Sequence, residues 1–107
     1  MRILLDECVT KRLKGHLSLH EVANVTEKGW GGLKNGQLMT AASADGFDIL
    51  LTIDKNLQHQ QNVGTYPLIV AVLNSPSSKL EVLITFLFAF EQQLPAFIKG
   101  NAYLVSL

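Results

Sequence analysis

Three short runs decide what this chain can fold into. "RILL" (Arg2 to Leu5), "ILLTI" (Ile49 to Ile53) and "PLIVAVL" (Pro67 to Leu73) are apolar or β-branched almost throughout and show no polar–apolar alternation. A strand with one wet face alternates, whereas a strand covered on both faces does not. Doubly covered strands separated by helical stretches specify a sheet with helices on both sides. The expected fold class is therefore α/β: a three-layer α/β/α domain around a mostly parallel, five-stranded sheet. A chain of 107 residues suits one such domain, spanning 1–107.

The remaining segments fit between these strands. A short helix is expected over Val9 to Leu17, then a half-exposed edge strand over Glu21 to Val25. "GWGGLKNG" reads as a loop, because glycine and asparagine dominate it. A helix through Leu38, Ala41 and Ala42 follows and stops at Asp45-Gly46. Asn56 to Asn62 reads as a short helix or turn. Ser78-Lys79-Leu80-Glu81 has the form of a capping box, which predicts one long helix from there to about Leu94. Pro95 and Gly100 end it, and Tyr103 to Leu107 is a last strand.

Two of the buried runs end in acid. Asp6 and Glu7 follow the first strand and Asp54 follows the third. In a sheet of strand order 2-1-3-4-5 these two strands are neighbours, about 4.8 Å apart. Ligands of such sheets bind beyond the carboxyl ends of the strands, at the switch in strand order. Asp6, Glu7, Asp54 and Asn56 are hard oxygen donors of the kind Mg²⁺ or Mn²⁺ takes. The plainer account is that each Asp caps the turn after its strand. Asp45 and Asp48 lie at the opposite end of the third strand and read as turn residues.

Lys plus Arg (9) balance Asp plus Glu (9), so no global basic field advertises nucleic acid. Local cations remain: Lys11, Arg12 and Lys14 on the first helix, and Lys34 and Lys55 in loops, with Asn35 beside Lys34. These are expected to face phosphates, although solvated helix faces look the same. Trp30 either stacks on a base or anchors the glycine loop to the body. His16, His20 and His59 lack metal-ligand spacing and are expected at the surface. Cys8 is expected as a buried structural thiol, and one cysteine excludes an internal disulfide. An acid by position 6, with no long apolar run after Arg2, speaks against a secretory leader. No stretch is long enough to span a bilayer, so a cytoplasmic protein without membrane contact is expected.

With "ILLDE", "GLKNGQLM" and "LLTIDKNL" the chain resembles the PIN-domain superfamily of metal-dependent ribonucleases. It is more closely similar to a compact PIN-like family whose members occur as predicted toxin–antitoxin components. The resemblance covers nearly the whole chain, through short motifs. It implies an acid after the first strand, matched by Asp6, and an acid in T-x-D, matched by Asp54. It also implies acids where "NGQL" carries Asn35 and Gln37, and a further donor where Asn56 stands. The implied activity is Mg²⁺- or Mn²⁺-dependent endoribonucleolytic cleavage with Asp6 and Asp54 catalytic and Glu7 and Asn56 assisting. RNA is the implied substrate and an antitoxin protein the implied partner. Amides bring no negative charge, so a weak metal site is expected. The alternative is a catalytically degenerate module acting by protein or RNA binding. A receiver-type phosphoacceptor is the third reading, and the fourth strand's end "LNSPSS" lacks the lysine it needs.

The expected long helix adds one more feature. Leu80, Leu83, Ile84, Leu87 and Leu94 form one stripe at helical spacing. Val82, Phe86, Ala89 and Phe90 widen it beyond what one sheet face covers. Either the C-terminal strand and "PAFIKG" fold over this side, or a second copy or a cognate partner packs there, and a homodimer through the helix 78–94 is the favoured expectation.

Overall fold

The computed structural model describes residues 1–59 and 62–107. Its five strands are β1 (Arg2–Leu5), β2 (Glu21–Asn24), β3 (Ile49–Thr52), β4 (Ile69–Leu73) and β5 (Ala102–Val105). They form one sheet in the order β2-β1-β3-β4-β5, and every neighbouring pair is parallel. The three-layer α/β/α class expected from the sequence is present, and the observed strand order makes β1 and β3 neighbours.

The period of two along each strand sorts the core into two halves. Ile3, Leu5, Ile49, Leu51, Ile69, Ala71 and Leu73 face one way. They pack against Leu13, Leu17 and the helices α2 (Leu80–Ile84) and α3 (Leu87–Gln93). Leu4, Leu50, Val70 and Val72 face the other way, onto Leu38, Met39 and Ala42 of α1 (Asn35–Ala44). All four residues of β3 and all five of β4 are buried. Apolar side chains are therefore needed at every position, which explains the missing alternation.

Several local expectations are corrected. The first helix is only a 3₁₀ turn over Lys11–His16, with Leu13 its one buried residue. A single buried side chain and Gly15 give a longer helix little to hold it. Segment 78–94 is not one helix: α2 ends at Ile84 and α3 begins at Leu87. The Thr85 hydroxyl donates to the Val82 carbonyl at 2.6 Å, a local bond that competes with the regular ladder. The capping box is absent too, since the N-cap is Lys79 with no side-chain bond. Phe86 and Phe90, expected to widen an outward stripe, are buried in the chain's own core, and the exposed aromatic is Phe88. A 3₁₀ turn covers Lys55–His59; the rest of the turn expected over Asn56 to Asn62 falls partly on residues 60 and 61, outside the described residues.

No helix among the described residues is long and apolar enough to cross a membrane.

Candidate functional site

β1 ends at Leu5, but the Asp6 N–H continues the ladder by donating to the Leu51 carbonyl at 2.9 Å. Asp6 is thereby carried to the rim beside Thr52, the last residue of β3. Thr52 is fully buried, and a buried hydroxyl must find partners. Its Oγ1 donates to Asp6 Oδ2 at 2.7 Å and accepts from the Asp54 backbone N–H at 3.1 Å. One hydroxyl therefore joins the two acidic loops. The Glu7 N–H donates to the other Asp6 oxygen at 2.8 Å, so both oxygens are held in place. Asp54 Oδ1 accepts from the Asn56 N–H at 3.0 Å. The capping account of Asp54 is thus also correct; one carboxylate can cap a turn with one oxygen and face the rim with the other.

A cleft of about 530 Å³ opens between the ends of β1 and β3, lined by Asp6, Glu7, Cys8, Leu33, Asn35, Ile53 and Asp54. This is where the strand order reverses direction, the usual ligand position in an open parallel sheet. The glycine loop forms one wall. A Cβ on Gly31 would stand 3.3 Å from Glu7 Oε1, so a side chain there would press on that carboxylate. Asn35, the first residue of α1, lines the cleft, whereas Asn56 does not. None of the three lining carboxylates has a cation within salt-bridge distance among the described residues, while Glu21, Glu27, Asp45 and Asp48 each have a Lys or Arg and Glu91 has His20. No group of three His, Cys, Asp or Glu side chains among the described residues is already gathered closely enough to cage an ion.

The other candidate residues separate. Lys11 lines a second cleft, described below. Lys34 sits at the N-cap of α1, exposed. Lys55 is exposed, yet its Nζ donates to the Ser75 carbonyl at 2.8 Å and ties its turn to the end of β4. Cys8, expected buried, is exposed at the rim with Sγ 3.4 Å from Thr52 Oγ1; the chain has left the sheet before residue 8. His20, expected at the surface, is a second correction. Its side chain is only 9% exposed and its Nε2 lies 2.6 Å from Glu91 Oε1 on α3. Trp30 packs edge-on against Phe47 at 6.0 Å, so it anchors the glycine loop.

Sequence reasoning missed Thr52 as a site residue. Its signal was present: a lone hydroxyl closing an otherwise apolar buried strand, two residues before an acid.

Comparison with known proteins returned no matching family model, no matching curated protein and no matching solved structure. What the structure defines is the class, an all-parallel five-stranded α/β domain with three carboxylates at its switch point.

Proposed function

We propose that this chain is a PIN-like, metal-dependent endoribonuclease in which Asp6 and Asp54 hold Mg²⁺ or Mn²⁺ and Glu7 assists. The observation that carries the reading is the set of uncompensated carboxylates lining one cleft at the switch point. Carboxylates lining one cleft without counter-charges make it a negative site that favours a shared proton or a cation. The donor set fits the habits of Mg²⁺, which is held by one or two carboxylates and completed by water and substrate phosphates. Such an ion supplies a hydroxide nucleophile and neutralises charge on a phosphodiester. The protein's part is orientation: Thr52 and the Glu7 N–H fix both Asp6 oxygens, and the Asn56 N–H fixes one of Asp54. Lys11 and Lys34 are the exposed cations offered to the RNA backbone, while Lys55 is engaged with Ser75.

Asp6→Asn and Asp54→Asn should each lower Mn²⁺-dependent cleavage of RNA by more than about 100-fold, the upper end of what losing an outer partner of a ligand causes. Unchanged cleavage in either variant overturns the assignment.

The degenerate reading has one specific support, the Asn35 amide where the family pattern carries a carboxylate. Calorimetric titration of Mn²⁺ separates the two. Heat in the wild type that disappears in Asp54→Asn supports the metal site; no heat with any divalent ion leaves a module that acts by binding.

An antitoxin protein and a second copy of this chain are the proposed partners, in a cytoplasmic setting compatible with a single unpaired cysteine. Self-association through segment 78–94 now rests on Phe88, 74% exposed. Phe88→Glu should shift the protein toward monomer in sedimentation if that surface pairs.

A further inference from the structure

The carboxylates do not stand at a dead end. A second cleft, of about 510 Å³, shares Asp6 and Glu7 with the first and extends to the other side of β1. It is also lined by Val9, Thr10, Lys11, Asn24, Val25, Thr26 and Glu27. Val9 and Val25 are 4% and 1% exposed and supply an apolar floor.

Two of the lining residues are hydrogen-bond donors, Asn24 at the end of β2 and Thr10 at the N-cap of the 3₁₀ turn. Asn24 and Glu27 bond reciprocally: the Glu27 N–H donates to Asn24 Oδ1 at 2.8 Å, and the Asn24 N–H to Glu27 Oε1 at 2.7 Å. This fixes the Asn24 side chain and leaves its Nδ2 hydrogens with no acceptor among the described residues. Thr10 Oγ1 accepts from the Arg12 N–H at 3.3 Å, so its own proton remains to be given. Glu27 is compensated by Lys14 at 3.7 Å. Lys11 has no carboxylate within salt-bridge distance among the described residues. The cleft thus offers an apolar floor, two oriented neutral donors and one uncommitted cation, beside carboxylates that a metal would neutralise.

From this geometry we infer that the β1–β2 cleft is a nucleoside subsite, taking the nucleotide next to the phosphate at the carboxylates. The Asn24 amide donates to an acceptor on the base edge, and Lys11 takes the adjoining phosphate. The inference rests on the nuclease reading for its place beside a scissile bond. It makes the substrate an extended strand crossing from one cleft to the other. The volume falls in the range of ordinary small-ligand sites.

The test is amide-resolved NMR titration in EDTA with the four ribonucleosides and their 5′-monophosphates. Without metal or cleavage, binding at this cleft is read separately from nuclease activity. Saturable shifts at residues 9–11 and 24–27 are expected, at millimolar concentrations. Asn24→Ala should weaken nucleoside binding about five-fold, the worth of one hydrogen bond, and flatten the difference among the four bases. Lys11→Ala should weaken the monophosphates while leaving the nucleosides unchanged, a split that a folding defect does not produce. Shifts without any RNA cleavage sustain the subsite and remove the nuclease. Cleavage without shifts at these residues removes the subsite alone. Shifts insensitive to both substitutions also overturn it.

Discussion

The sheet carries acids at both of its rims and treats them in opposite ways. Where the strands begin, Asp45 lies 2.9 Å from Lys28 and 3.5 Å from Arg2, and Asp48 lies 3.2 Å from Lys99. The Arg2 N–H also donates to Asp48 Oδ2 at 2.8 Å. These contacts hold both carboxyls below the usual range, Asp45 chiefly through its hydrogen bond from Lys28 and Asp48 chiefly through the Arg2 N–H. Where the strands end, Asp6 and Asp54 receive only N–H groups, a neutral hydroxyl and the Cys8 Sγ, and no cation. Of the four acids with no Lys, Arg or His within salt-bridge distance among the described residues, three line one cleft and the fourth, Glu81, sits on α2. Neutral donors orient a carboxylate without cancelling its charge. That is the condition of a group whose counter-charge arrives with a ligand.

If the contrast is real, the two rims answer substitution differently. The largest effect is expected at the paired rim. Asp48→Ala strands the Arg2 N–H and frees Lys99, and should cost about 1–3 kcal/mol in urea unfolding. Glu7→Gln, measured in EDTA, should stay within about 0.5 kcal/mol, the range of an exposed substitution that breaks no contact. Equal losses at both positions would erase the distinction. Next comes the effect of the ion. Mn²⁺ at about five times its Kd should stabilise the wild type by about 1 kcal/mol through mass action. Asp54→Asn should abolish that gain, and Asp48→Asn should keep it.

How much of this could be read in advance depended on whether a signal was local. Ile49 to Thr52 and Ile69 to Leu73 declared their double burial in their own composition, and that was enough to infer the layers; the β1–β3 contact depended on a strand order that composition alone does not give. The placement of Asp6 and Asp54 followed, since a strand's end is set by its sequence and its rim by the topology. What failed depended on partners far along the chain or on competition within a turn. Nothing around His20 points to Glu91, 71 residues away. The break between α2 and α3 needs neither glycine nor proline; the Thr85 hydroxyl and the burial of Phe86 suffice. Cys8 was expected buried because no histidine lies near it in sequence to make it a nucleophile, yet the chain leaves the sheet two residues before it. Thr52 was legible in principle: a buried polar group at a strand end has to be bonded, and the nearest carboxylates were already in view.

The smallest expected effect concerns pH, and it separates the members of the paired rim from one another. A carboxyl whose folded pKa lies below its ordinary value of 3.8 stabilises the fold at pH values above that number, and the benefit disappears as pH falls through the folded value. Wild type and Asp48→Asn should therefore differ by a constant amount above about pH 5. Below about pH 4 the gap should close, because protonated Asp48 no longer outperforms an amide as partner to the Arg2 N–H and Lys99. Asp45→Asn should follow the same course with a smaller gap. Its side chain is 38% exposed, and water and salt screen its bonds to Lys28 and Arg2. Thermal unfolding between pH 6 and 2.5, at low and high salt, reads both curves. Added salt should shrink the Asp45 gap more than the Asp48 gap, since the Arg2 N–H bond to Asp48 is half-buried and requires no second charge. A gap that widens toward low pH in either variant would mean that these carboxyls are not held by their partners at all, and the contrast between the two rims would go with it.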